Sequence, residues 1–178
     1  MLKKNHIKRM LKFSLSFFCL LNSTVGHCVE LSEYQMKASF IYNFISYTQW
    51  PKRVNNQLNL CIYGPNLFEG ALNELHEMPV NGNVINVIQN PNSSSLNHCQ
   101  IIYIEKNKLN NLSQLLTNIT SYPILTISDV PNSVDKGIII NINIKNNKVR
   151  FDINKKQAEE QQLIISSRLL RLADKVIK

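Results

Sequence analysis

Four short strand-like runs constrain this chain more than any other feature: Leu58–Tyr63, Val84–Ile88, Ile101–Ile104 and Ile124–Ile127. The last two are continuous apolar stretches, the pattern of strands buried on both faces of a parallel sheet. Turn residues punctuate the runs, at Gly64-Pro65-Asn66, at Asn81-Gly82 and through the polar stretch Asn90–Asn97. Between them lie residues at helical spacing. Phe68, Ala71, Leu72 and Leu75 share one face, as do Leu109, Leu112, Leu115, Leu116 and Ile119. Strand–helix alternation of this kind builds βαβ units and a parallel sheet.

The pattern changes after Pro131. Ile138, Ile140, Ile142 and Ile144 alternate with other residues, Asn146-Asn147 marks a turn, and Val149, Phe151 and Ile153 alternate back. That reads as an antiparallel hairpin appended to the sheet. Ahead of the first strand, Glu33–Gln49 reads as a helix with Lys37, Phe40, Ile41, Phe44, Ile45 and Thr48 on one side, stopped by Trp50-Pro51. At the other end, Ser166 or Ser167 caps a closing helix with Leu169, Leu172, Ala173 and Val176 on its buried face. The expected fold is therefore α/β: a Rossmann-like three-layer sandwich, its mixed, mostly parallel sheet ending in a C-terminal antiparallel hairpin.

Residues 1–26 have the layout of a secretory signal peptide. Lys3, Lys4, Lys8, Arg9 and Lys12 precede the apolar run Phe13–Leu21, and small or polar residues follow to Gly26. The run is about half the ~20 residues of a membrane span. Cleavage near Gly26 or Cys28 would leave one domain, 30–178, in an oxidising compartment. It would also lower the net charge from +8 to +3, because five of the 20 Lys/Arg and none of the 12 Asp/Glu lie in the signal. The mature chain then has no concentrated basic stripe, and nucleic-acid binding is not expected.

With Cys19 in the signal and Cys28 at its end, Cys61 and Cys99 are the secure cysteines of the domain. Both flank predicted strands and could meet across the sheet as a disulfide, which export favours; two buried free thiols are the alternative reading. No Gly-rich phosphate loop or nucleophile elbow is present. His98 beside Cys99 lacks the further ligands a zinc site needs, and Glu159-Glu160 look like a solvated helix face. Neither a catalytic residue, a metal nor a cofactor is expected.

The segment Tyr34-x-Met36-Lys37-Ala38-Ser39-Phe40-Ile41-Tyr42-Asn43-Phe44, running to Trp50-Pro51, resembles the opening helix of the YfiR family. Leu60–Gly64, Val80-Asn81-Gly82, Cys99–Ile104, Pro123–Asp129, Val149–Asn154 and Ile165–Ala173 extend the likeness in order along the chain. The resemblance implies a periplasmic, often dimeric, non-enzymatic regulator. It would bind and repress the periplasmic sensor part of an inner-membrane diguanylate cyclase, with release raising cyclic di-GMP and favouring biofilm formation. In family terms Cys61 and Cys99 correspond to a disulfide pair. A second pair found in some members has no counterpart here, since no cysteine follows Cys99. Phe40, Phe44, Tyr47, Leu169 and Leu172, on the first and last helices, are the candidates for the partner contact or a homodimer. The competing reading is a periplasmic small-ligand-binding protein using the cleft near Gly64 and Ser128-Asp129.

Overall fold

The computed structural model describes residues 32–51, 56–65, 68, 70–145 and 148–178; the expected signal segment and the Asn146-Asn147 turn lie outside them. The first helix, α1 (Glu33–Ser46), begins at a capping box in which the Ser32 hydroxyl accepts from the Gln35 amide and the Gln35 side chain accepts from the Ser32 amide. It stops at Tyr47, earlier than Trp50-Pro51 would require. Thr48–Gln49 leaves the helix as strand β1, because it pairs antiparallel with Ile164–Ile165 far down the chain. A long-range pairing thus overrides the local helical pattern.

Then follow β2 (Gln57–Tyr63), β3 (Pro79–Val80), β4 (Asn83–Gln89), β5 (Ile101–Ile104), α2 (Leu112–Ile119), β6 (Leu125–Ser128), β7 (Ile140–Lys145) and β8 (Lys148–Asn154). The chain ends through α3 (Lys155–Glu160), β9 (Ile164–Ile165), α4 (Ser167–Leu170) and β10 (Lys175–Ile177). The main sheet has eight strands in the order β10-β8-β7-β6-β5-β2-β4-β3. Strands β4, β2, β5, β6 and β7 are parallel to their neighbours, whereas β8 is antiparallel to β7 and β3 to β4. The sheet is mixed and mostly parallel, with a C-terminal hairpin, as the sequence pattern leads one to expect.

Side-chain alternation divides the strands between two helical layers. Leu58, Leu60 and Ile62 of β2, with Ile101 and Tyr103 of β5, pack toward α1. Cys61, Ile102 and Ile104 point the other way, toward α2 and the 3-10 turn Ser93–His98.

Three local expectations need correction. The helix anticipated around Phe68–Leu75 is a 3-10 turn, Ala71–Leu75. The helix expected from Leu109 starts as the 3-10 turn Lys106–Asn111 before becoming α2. The closing helix is a single turn: Leu169 is buried, but Leu172 is exposed and Val176 lies in β10, parallel to β8. The Asp174 amide donates to the Phe151 carbonyl, so pairing with the sheet edge captures this segment before the helix can lengthen. Helix α3 carries Glu159 and Glu160 on its exposed side, the solvated helix face expected there, and its start is fixed by a local capping signal. The Asn154 side chain accepts from the Gln157 amide at 2.9 Å, and Lys155 pairs with Glu159 one turn on.

Candidate functional site

In parallel α/β sheets, ligands bind outside the carboxyl ends of the strands where strand order reverses. Here that point lies between β2 and β5, ending at Tyr63-Gly64 and Ile104-Glu105. Among the described residues, the protein's own side chains take up part of this crevice. Gly64 has φ 132°, and any Cβ there would collide with Glu105, which is itself buried. Ser128, also buried, donates its hydroxyl to the Ile104 carbonyl at 3.0 Å. Glu105 thus occupies the space over Gly64 at one side of the cleft expected between Gly64 and Ser128-Asp129.

Beside it, α1 drives a lysine into the domain. Lys37 Nζ lies 2.7 Å from Asp129 Oδ2 and 2.7 Å from Glu33 Oε1, with only 8% of the side chain exposed. Burial by itself would lower the Lys37 pKa, but hydrogen bonds to Asp129 and Glu33, with their charges, leave it above the usual lysine value. Tyr103 lies on the adjacent β5, close enough to Asp129 to feel its charge. Its phenol is pushed well above the usual range, first by burial and then by the charges of Asp129 and Glu105. This cluster clamps α1 over the sheet and keeps Lys37 charged and Tyr103 neutral through neutral pH. Glu33 is visible as its i−4 partner in the sequence; Asp129 is 92 residues away and only the fold brings it in.

On the opposite face of the sheet a smaller cleft remains open, about 130 Å³ in volume, along one side of α2. Its polar lining is Tyr63, Ser93, Lys108, Asn111, Gln114 and Asn118, over the buried Leu96 and Leu115. The Tyr63 and Ser93 hydroxyls are 3.0 Å apart, and Lys108 Nζ sits 5.0 Å from the Tyr63 ring centroid. The Cys61–Cys99 disulfide, with Cα atoms 6.0 Å apart, ties the 3-10 turn that carries Ser93 to the strand that carries Tyr63. His98 lies at the surface in this turn, and no cluster of metal-ligating side chains is found among the described residues.

The partner-contact candidates are dispersed by the fold. Phe44 and Leu169 are core residues, so neither offers a surface. Phe44 stacks edge-on against Phe151, ring centroids 5.0 Å apart, because the packing stripe of α1 passes through this position. Phe40 is half-buried against the same two rings. Tyr47 is half-buried, and its carbonyl accepts from the Ser166 amide at 2.9 Å. Leu172 remains as a projecting residue, 64% exposed, and Ile164 of β9, which sequence reasoning missed, is 63% exposed. Alternation explains Ile164: its neighbour Ile165 takes the inward position in the β1–β9 pair. Arg168 and Arg171, between these two positions in the sequence, are exposed, and neither belongs to an ion pair among the described residues. A separate groove of about 380 Å³ runs between α1 and the Ala71–Met78 segment, lined by Ala38, Ser39, Tyr42, Leu75 and Met78 among others.

Residues 34–174, nearly the whole of this architecture, match the YfiR/HmsC-like family. The chain belongs to that family. YfiR/HmsC-like proteins are periplasmic regulators of diguanylate cyclase signalling, regulatory rather than catalytic. The YfiR/HmsC-like domain also resembles solved structures at the level of fold. One is a conserved domain protein from Vibrio cholerae O1 biovar eltor, with TM-score 0.55 and 12% identity over 83% of this chain and 61% of that one. Another is the ABC domain from Streptococcus pneumoniae in complex with L-Trp, with TM-score 0.53 and 12% identity over 81% and 60%. The chain thus spans about three fifths of the length of these proteins, and at this identity the likeness speaks for the α/β fold alone. No helix among the described residues is long and apolar enough to cross a membrane.

Proposed function

We propose that this protein is exported by its N-terminal signal to the periplasm, where it binds the periplasmic sensor part of an inner-membrane diguanylate cyclase and holds that enzyme inactive. The observation that carries this reading is the family match across 34–174. The contact surface is the corner formed by β9 and α4, which are joined through Ser166 alone. There Ile164 and Leu172 project into solvent, and the exposed Arg168 and Arg171 lie between them in the sequence. Apolar anchors beside arginine are the residue types that carry binding energy at protein interfaces. Unpaired arginines also suit an acidic rim on the partner. Repression then works by population: the regulator binds one conformation of the sensor part more tightly than the other and draws the enzyme toward it.

The test is cellular cyclic di-GMP. Removing the protein should raise it. Restoring the wild-type chain should lower it again, and restoring an Ile164→Asp/Leu172→Asp chain of unchanged melting temperature should not. No rise on removal would sink the regulator reading. Full rescue by the double variant would move the contact elsewhere.

A further inference from the structure

The cleft beside Tyr63 is built of donors around a cation, with no carboxylate lining it among the described residues. Lys108 makes no ion pair among the described residues, and its ammonium rests instead against the Tyr63 ring. None of the residues lining the cleft is acidic, and the first turn of α2 contains no acid either. The positive end of that helix therefore adds to the field of Lys108. Tyr63 and Ser93 supply hydroxyls, and Asn111, Gln114 and Asn118 supply side-chain amides. The N-capping position Asn111 leaves its side chain free of the helix, making no capping hydrogen bond.

Size narrows the ligand further. A volume of about 130 Å³ is well below the roughly 300–1,000 Å³ of pockets for drug-sized molecules. At about 30 Å³ per water it holds a few waters or one ion of similar bulk. The walls are also preorganised. The disulfide and the Tyr63–Ser93 hydrogen bond fix one side against β2, and α2 supplies the other. The position is the carboxyl end of β2, beside the crossover point at which Glu105 lies over Gly64.

We propose that this cleft binds a small oxyanion, a phosphate or a short carboxylate, with Lys108 as the charge partner. The donors are the side-chain amides of Asn111, Gln114 and Asn118 and whichever hydroxyl of the Tyr63–Ser93 pair accepts the bond between them and so keeps its own proton free. Lys108 swings from the ring to the anion on its flexible stem, exchanging a cation–π contact for a charge-assisted hydrogen bond. The site stands independently of the cyclase reading, since it lies on a different face from the Ile164–Leu172 corner and is tested without any protein partner.

The experiment is a ¹H–¹⁵N titration of the exported chain at constant ionic strength, using inorganic phosphate, acetate and neutral glycerol in separate arms. The side-chain amide signals of Asn111, Gln114 and Asn118 should shift saturably with at least one anion and not with glycerol. The tighter of the two anions identifies the class of oxyanion the cleft takes. Lys108→Met should weaken that binding at least tenfold, and Lys108→Gln provides a second, more soluble replacement should the first fold poorly. Linear, non-saturating shifts with both anions, equal shifts with glycerol, or unchanged affinity in either folded Lys108 variant would overturn the proposal.

Discussion

The two faces of the sheet are held by different physics. Toward α1 the core is large and aromatic: Phe44, Phe68, Tyr103 and Phe151 are all buried there, and the Lys37–Asp129 clamp lies at its edge. Toward α2 the buried cluster has no aromatic ring, and its covering helix has only eight residues. That face carries the disulfide. A surface that buries little apolar area gains little from the hydrophobic effect, so a covalent tie there replaces packing that a short helix and a 3-10 turn do not supply. The contrast also bears on function, since on one side of the strand ends Glu105 lies over Gly64, while the stapled face keeps a small polar cleft.

The largest expected effect is on the stapled face. Cys61 and Cys99 are 38 residues apart, and replacing both by serine removes about 4 kcal/mol in the chain-entropy model. Denaturant unfolding measures this, and a loss under about 1 kcal/mol would show that the α2 face packs well enough without its bridge. On the other face, Lys37→Met should cost about 1–3 kcal/mol. It strips a hydrogen-bonded cation from Asp129 and Glu33, whose carboxylates are exposed enough to recover some water. A neutral result would mean that aromatic packing alone seats α1.

The same clamp predicts an alkaline response. Lys37 and Tyr103 both have folded pKa values raised above their ordinary values of 10.5 and 10.0. The unfolded chain therefore releases these protons first as the pH rises. Their contribution is fully present below about pH 10 and is lost above it, at up to about 1.4 kcal/mol per pH unit for each group. Tyr103→Phe should flatten the fall of stability between pH 10 and 12; an unaltered slope would remove Tyr103 from the clamp. Smaller still, Ser32→Ala deletes the capping hydroxyl of α1 and should cost about 1 kcal/mol. Leu172→Ser, at an exposed position, should change stability by less than about 0.5 kcal/mol. A larger loss would show that Leu172 is buried in solution, which would weaken its assignment to a contact surface.

Much of the architecture was legible because its signals are local. Period-2 and continuous apolar runs, Asn-Gly turns and a capping box report on neighbours a few residues apart. The elements read less well are those whose form depends on distant chain. Thr48-Gln49 looks helical until Ile164-Ile165 pairs with it, and Val176 looks helical until β8 offers it an edge. The candidate contact residues show the same limit. Phe44, Leu169 and Leu172 all fit an apolar helix face, yet the first two are core and the third projects into solvent.

By itself, the sequence determined the strand–helix alternation, the appended hairpin and the two cysteines available to bridge. Those follow from side-chain type and spacing, which do not depend on where the rest of the chain lies. Only the tertiary structure decided that Lys37 meets Asp129 and that Glu105 occupies the space over Gly64. It also left Lys108 facing a cleft with no carboxylate lining it among the described residues. Electrostatic and steric fit act through space, and Lys37 and Asp129 lie 92 positions apart along the chain.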